Sequence, residues 1–134
     1  QVGAGISSTL AGLMKSGIRH TLRALGHSLE GLSAAIKHEL AFRQELAFAV
    51  VLVPAALLIP TDWLHRLYLI GALFLVLIVE LLNSAIEATI DRISEERHPL
   101  SKRAKDLGSA AVFLSLLHLG VAWLVTLYLW WKNA

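Results

Sequence analysis

Three carboxylates and an amide stand in one largely apolar run, ELLNSAIEATID, which supplies Glu80, Asn83, Glu87 and Asp91. At about 100° per residue, Glu80 and Glu87 fall about 20° apart around a helix. Asp91 falls about 40° from Glu87, and Asn83 about 60° from Glu80. The four therefore form one stripe on an apolar helix. An ionised carboxylate at mid-membrane costs at least about 2.5–3.5 kcal/mol, so such a stripe is expected to face protein, water or a ligand. Clustered carboxylates ligate hard divalent cations through oxygen. A cation beside carboxylates suits phosphoryl transfer, in which charge on phosphate is neutralised and a base takes the proton of a hydroxyl.

A second segment, LSKRAKDLGSAA, carries the matching cations. Arg103 and Lys105 are expected at a helix start, where free backbone N–H groups also attract phosphate. Glu39 and Glu45, ahead of the first apolar run, can add oxygen ligands at the same depth. Plainer roles compete with these. Asp91, beside Arg92, can be a snorkelling or capping group. The basic residues between Arg97 and Lys105 can be a cytoplasmic loop and nothing more. Neither a Gly-x-x-x-x-Gly-Lys loop nor a kinase-type glycine loop occurs.

The elements that must position these groups follow from hydropathy. The 134-residue chain is 56% hydrophobic and 16% charged, with a mean hydropathy of +0.63. This is an integral membrane protein by composition. It has no cysteine, which excludes disulfides, thiol chemistry and Cys-based metal sites. The net charge of +2 gives no reason to expect a nucleic-acid partner.

Ile18, Leu22, Leu25, Leu29, Leu32 and Ile36 recur at four- and three-residue steps, predicting an amphipathic helix over about 18–38. Such a helix lies on the membrane surface or packs on other helices. Spans are expected over about 42–60, 64–92 and 104–131, with Pro54 a possible kink in the first. The last is the clearest, since Leu107–Trp131 holds no Asp, Glu, Lys or Arg.

Residues 1–17 begin without Met and lack a secretory signal pattern. They are expected to be a poorly ordered or artificially added extension. Residues 18–134 form the single membrane domain.

Ten of the twelve Lys and Arg residues precede the first span or lie between the second and third; Arg66 and Lys132 do not. That bias predicts a cytoplasmic N-terminus and a periplasmic C-terminus, with Trp63, Trp130 and Trp131 at the outer interface. Three spans are few to enclose an acidic stripe, so a homo-oligomer with a site between chains is expected. Gly71, Ser84, Ala85, Ala88, Gly108, Ser109, Ala110 and Ala111 would allow close helix contact.

The segment VELLNSAIEATIDRISEERHPLSKRAKDLGSAAVFLSLL resembles the prokaryotic diacylglycerol kinase family, through E-x-L-N-[ST]-A-I-E, a following D, and H-x-L-[SA]-x-x-A-K-D. GLSAAIKHELAFRQE is a second match, and the resemblance covers about residues 18–131. It implies an all-α homotrimer, each chain with three transmembrane helices and an N-terminal amphipathic surface helix. Active sites shared between chains would pass the γ-phosphoryl of MgATP to a lipid hydroxyl, in the inner membrane of a bacterial cell.

By the same resemblance, Glu80 matches the general base, and Glu39 and Glu87 the acids that hold Mg2+ with ATP. Asn83 supports the base or the polyphosphate. Lys105 matches the phosphate-binding lysine. Asp91 and Asp106 lie where ribose and adenine are held, and Glu96, Arg97 and His98 border the nucleotide. Ser109 matches a lipid-contacting position, and Arg43 and Glu45 support the substrate site.

The chain departs from Gram-negative relatives on the surface helix, where His20 and His27 replace an arginine and a tyrosine. They are carried as nucleotide-binding positions, with Arg19 or Arg23 as alternative sources of the charge. The pieces DRI and GSAAV look more like the diacylglycerol-specific branch than the undecaprenol-specific one. Two other classes fit a buried acidic stripe: a small proton- or ion-conducting subunit, and a structural assembly protein.

Overall fold

The computed structural model describes residues 2–94 and 96–133, with side chains from residue 17 onward. The side chains of residues 2–16, Lys15 among them, therefore lie outside the described part. Four helices follow one another: α1 (Val2–His38), α2 (Leu40–Leu58), α3 (Trp63–Ile93) and α4 (Pro99–Asn133). No strand occurs among the described residues. The chain divides into two units, Gln1–His38 and Glu39–Ala134.

In the first unit, α1 begins at Val2 rather than near residue 18. The backbone over residues 2–17, expected to lack order, is helical. No proline precedes Pro54, so nothing in the sequence stops the helix there. The six-residue apolar stripe is exposed along its length, from Leu32 at 41% to Leu22 at 63%.

The second unit is a three-helix membrane domain. Glu39 is extended (φ −101°, ψ 114°) and starts α2 without a side-chain cap. The helix passes through Pro54 unbroken and stops at Ile59, whose ψ is 134°. Pro60 follows, and a proline ring disfavours the α conformation in the residue before it.

The N-cap of α3 is Asp62, whose Oδ1 accepts from the His65 N–H at 2.8 Å. Helix α4 begins at Pro99, five residues earlier than expected. Proline suits the first helical position because its missing N–H would have no partner there. His98 supplies the cap: its Nδ1 accepts from the Leu100 N–H at 3.2 Å, so the Nε2 atom carries the proton of the neutral ring.

Helices α2, α3 and α4 are each long and apolar enough to cross a membrane. Helix α3 is central and packs against both others. Ala49 of α2, Ala72, Leu73 and Val76 of α3, and Leu119 of α4 form one buried layer. Ala56, Leu69 and Ala122 form a second. Alanine recurs in both, which lets the backbones approach where lipid provides no hydrophobic drive between helices. Towards the α3 N-terminus, Thr126 Oγ1 donates to the Ala122 carbonyl at 2.7 Å. Its other contact, His65 Nε2 at 2.6 Å, is therefore a donor to it.

Candidate active site

Helix α3 is built inside out. Its exposed positions include Phe74, Ile78, Leu82 and Ile86, while Glu80 is 4% exposed and Asn83 9%. An outer surface of this kind matches acyl chains, and the polar groups are kept from them. Glu80 lies about 26 Å along the helix from Trp63, near the far edge of a hydrocarbon layer about 30 Å thick. Glu87 and Asp91 lie about 36 and 42 Å along, at headgroup depth or beyond.

Burial falls along the stripe in the same direction: Glu87 is half-buried and Asp91 exposed. The deeper part is thus enclosed by the chain's own helices. The expectation that one chain cannot enclose it holds only for the shallower part.

Across from Glu80 stands Glu45 of α2, itself buried. The two carboxylates are close enough to repel one another. Glu87 and Glu39 also neighbour Glu80. Glu45 Oε2 is buried without a hydrogen-bond partner among the described residues. A buried carboxylate oxygen without a donor calls for a cation or a proton. The donor set, all carboxylate oxygen, fits a hard divalent ion in kind. Among the described residues, no three acids or histidines converge on one point.

Asn83 connects this group to the shallower end, its Nδ2 donating to Glu87 Oε1 at 3.2 Å. Facing Asn83 from α4 is Gly108, which is buried. Among the other small residues expected at close helix contacts, Gly71, Ala85, Ala88, Ser109, Ala110 and Ala111 are exposed within the chain.

At the junction of α3 and α4 a cavity of about 610 Å3 is lined by Asp91, Glu96, Arg97, His98, Lys102 and Lys105. Five of these six were singled out from the sequence. Lys102 was not, because in sequence it reads as one more loop cation; Ser94 and Ser101 complete the polar wall. Lys105 Nζ donates to Asp91 Oδ1 at 2.6 Å. Lys102 pairs with Asp106 one turn away.

Because α4 starts at Pro99, Lys105 stands six residues inside it and not at its first turn. The first turn of α4 stands instead at the cavity wall, through Pro99 and Ser101, with the Leu100 N–H bonded to His98 Nδ1 and the Lys102 N–H to the His98 carbonyl. Arg43 and Ser109 are exposed. His20 and His27 lie on the exposed surface of α1, His27 within 3.5 Å of Glu30.

A family model described as prokaryotic diacylglycerol kinase matches residues 26–127, from the last turns of α1 into the last turns of α4. The chain belongs to the prokaryotic diacylglycerol kinase family. Among its relatives, the diacylglycerol kinase of Pseudomonas aeruginosa is 51% identical over 109 residues, which cover 81% of this chain and 89% of the relative. That of Escherichia coli K12 is 44% identical over 113 residues, 84% and 93% of the two chains. That of Helicobacter pylori 26695 is 39% identical over 116 residues, 84% and 91%. For this kinase family member, the acid cluster and the cationic cavity both lie inside the matched region.

Proposed function

We infer that this chain is an ATP-dependent diacylglycerol kinase, transferring the γ-phosphoryl group of ATP to the free hydroxyl of diacylglycerol to give phosphatidic acid. One observation carries the reading: within a chain of this family, acids line one face of an apolar span, buried at the deep end, and that face reaches at Asp91 a cavity rich in Lys and Arg.

The chemistry divides between the two ends of the stripe. Lys105, Lys102 and Arg97 attract the triphosphate. Asp91, Glu96, His98 and Asp106 border the nucleoside. Glu39 and Glu87 would hold the divalent ion, most simply Mg2+, which would neutralise charge on the transferring group. Glu80, at the depth of a lipid hydroxyl, takes its proton. The hydroxyl oxygen bonds to the γ-phosphorus, the bond between that phosphorus and the β,γ-bridging oxygen breaks, and ADP leaves. Asn83 keeps Glu87 oriented. Glu45, Arg43 and Ser109 support the lipid side.

The reading extends to assembly. The shallower acids are open within one chain, and most of the apolar surface of α2–α4 is exposed. Both features suit a homotrimer in which a neighbour completes each site. Helix α1 lies on the inner face of the bacterial cytoplasmic membrane, with the N-terminus in the cytoplasm and the C-terminus in the periplasm.

Purified protein in mixed micelles with MgATP, offered diacylglycerol beside undecaprenol, tests the substrate. Phosphatidic acid as the main phosphorylated lipid supports the reading. Preferential phosphorylation of undecaprenol overturns it in favour of a related alcohol kinase. Nucleotide-free ion flux in liposomes, with no lipid product, overturns it altogether.

A further inference from the structure

Gly108 differs from the other glycines whose surroundings are described. A Cβ built on Gly17, Gly26, Gly31, Gly71 or Gly120 meets nothing within 4 Å. A Cβ on Gly108 collides with the carboxamide oxygen of Asn83, and lies 3.3 Å from its Cγ and 3.9 Å from its Cα. The obstacle is the end of a side chain, so a methyl group there would turn the Asn83 amide and leave the α3 and α4 backbones in place. That amide has one orientation that works. Its NH2 group faces the Glu87 carboxylate, and its oxygen, buried without a hydrogen-bond partner among the described residues, rests against Gly108. Turned the other way, it would set an oxygen against a carboxylate.

We propose that Gly108 is a positioning residue for phosphoryl transfer: its missing Cβ leaves the space that the Asn83 amide oxygen occupies in the rotamer that orients Glu87. This rests on the reading that Glu87 holds the metal–triphosphate. The chain of action is Gly108 to Asn83 to Glu87. Residues that orient a metal ligand from behind are worth about 10- to 100-fold in metal affinity or activity.

The test compares G108A, N83A and the double variant G108A/N83A, with E87Q as reference. Each is measured for initial rate, for the Mg2+ concentration giving half-maximal rate, and for binding of a non-hydrolysable ATP analogue with Mg2+. G108A is expected to lose about 10- to 100-fold in rate at fixed Mg2+, to need more Mg2+, and to keep its KM for diacylglycerol. Because Gly108 acts only through Asn83, the double variant is expected to match N83A in rate and in analogue binding. That comparison stands even if G108A alone folds poorly, since alanine at 83 removes the collision.

Wild-type Mg2+ dependence in G108A, or losses that multiply in the double variant, would overturn the proposal. Full activity of E87Q would instead overturn the role given to Glu87, and that result is distinguishable from failure at Gly108.

Discussion

Lys105 of α4 donates to Asp91 of α3 at 2.6 Å, a pair between residues 14 apart in sequence, at the wall of the cationic cavity. The lysine side chain is 38% exposed and the aspartate 66%. An exposed pair of this kind adds about 1 kcal/mol or less to stability. Its interest lies in what Lys105 can do when phosphate arrives.

K105M is therefore expected to separate activity from stability. Loss of a charged hydrogen bond to phosphate corresponds to about 10- to 100-fold in kcat/KM for ATP. Thermal unfolding in detergent should shift by only a few degrees. D91N, which releases the lysine, is expected to lose less than K105M. Steady-state kinetics with ATP varied at saturating diacylglycerol make the comparison.

Glu45 gives a prediction of opposite sign for stability. Its carboxylate is buried beside Glu80, with one oxygen unpartnered. Replacing a buried acid by a neutral isostere removes the desolvation cost of ionising it there. E45Q is expected to unfold at a temperature equal to or above that of the wild type while turning over more slowly. Differential scanning fluorimetry and the mixed-micelle assay on one preparation check both halves.

The far end of the domain supplies a control. His65 and Thr126 join α3 and α4 through a 2.6 Å hydrogen bond far along α3 from the acid cluster. T126V is expected to cost about 0.5–1.5 kcal/mol of stability. The KM values for ATP and lipid should not move.

The proposed sharing of sites between chains predicts complementation. E80Q and K105M, each deficient alone, are expected to regain part of the wild-type rate when unfolded together and reassembled in one micelle. Mixing them after separate assembly should restore nothing. Activity no higher than that of the separate proteins would place the Glu80 and Lys105 of each site on one chain.

Much of this arrangement was legible before any coordinates. Glu80, Asn83, Glu87 and Asp91 fall on one face because helical periodicity is a property of spacing alone. The cost of a charge in lipid then dictates that the face turn inward. The start of α4 was less legible: Arg103 and Lys105 mark the charge boundary, but Pro99 and the His98 cap mark the helix boundary, and the two are several residues apart.

Gly108 was visible as a small residue, but its partner was not. Contact between Gly108 and Asn83 depends on the register of α4 against α3, which no local pattern specifies. Lys102 was hidden for the same reason, since its place in the cavity wall depends on where the helix begins.

The account depends most on Glu80 acting on the lipid hydroxyl. The decisive measurement is turnover of E80Q in mixed micelles, alongside its binding of a non-hydrolysable ATP analogue with Mg2+. The account predicts a fall in kcat of about 10²- to 10⁴-fold, the range for loss of a general base, with analogue binding as tight as in the wild type. Turnover by E80Q at the wild-type rate would contradict it.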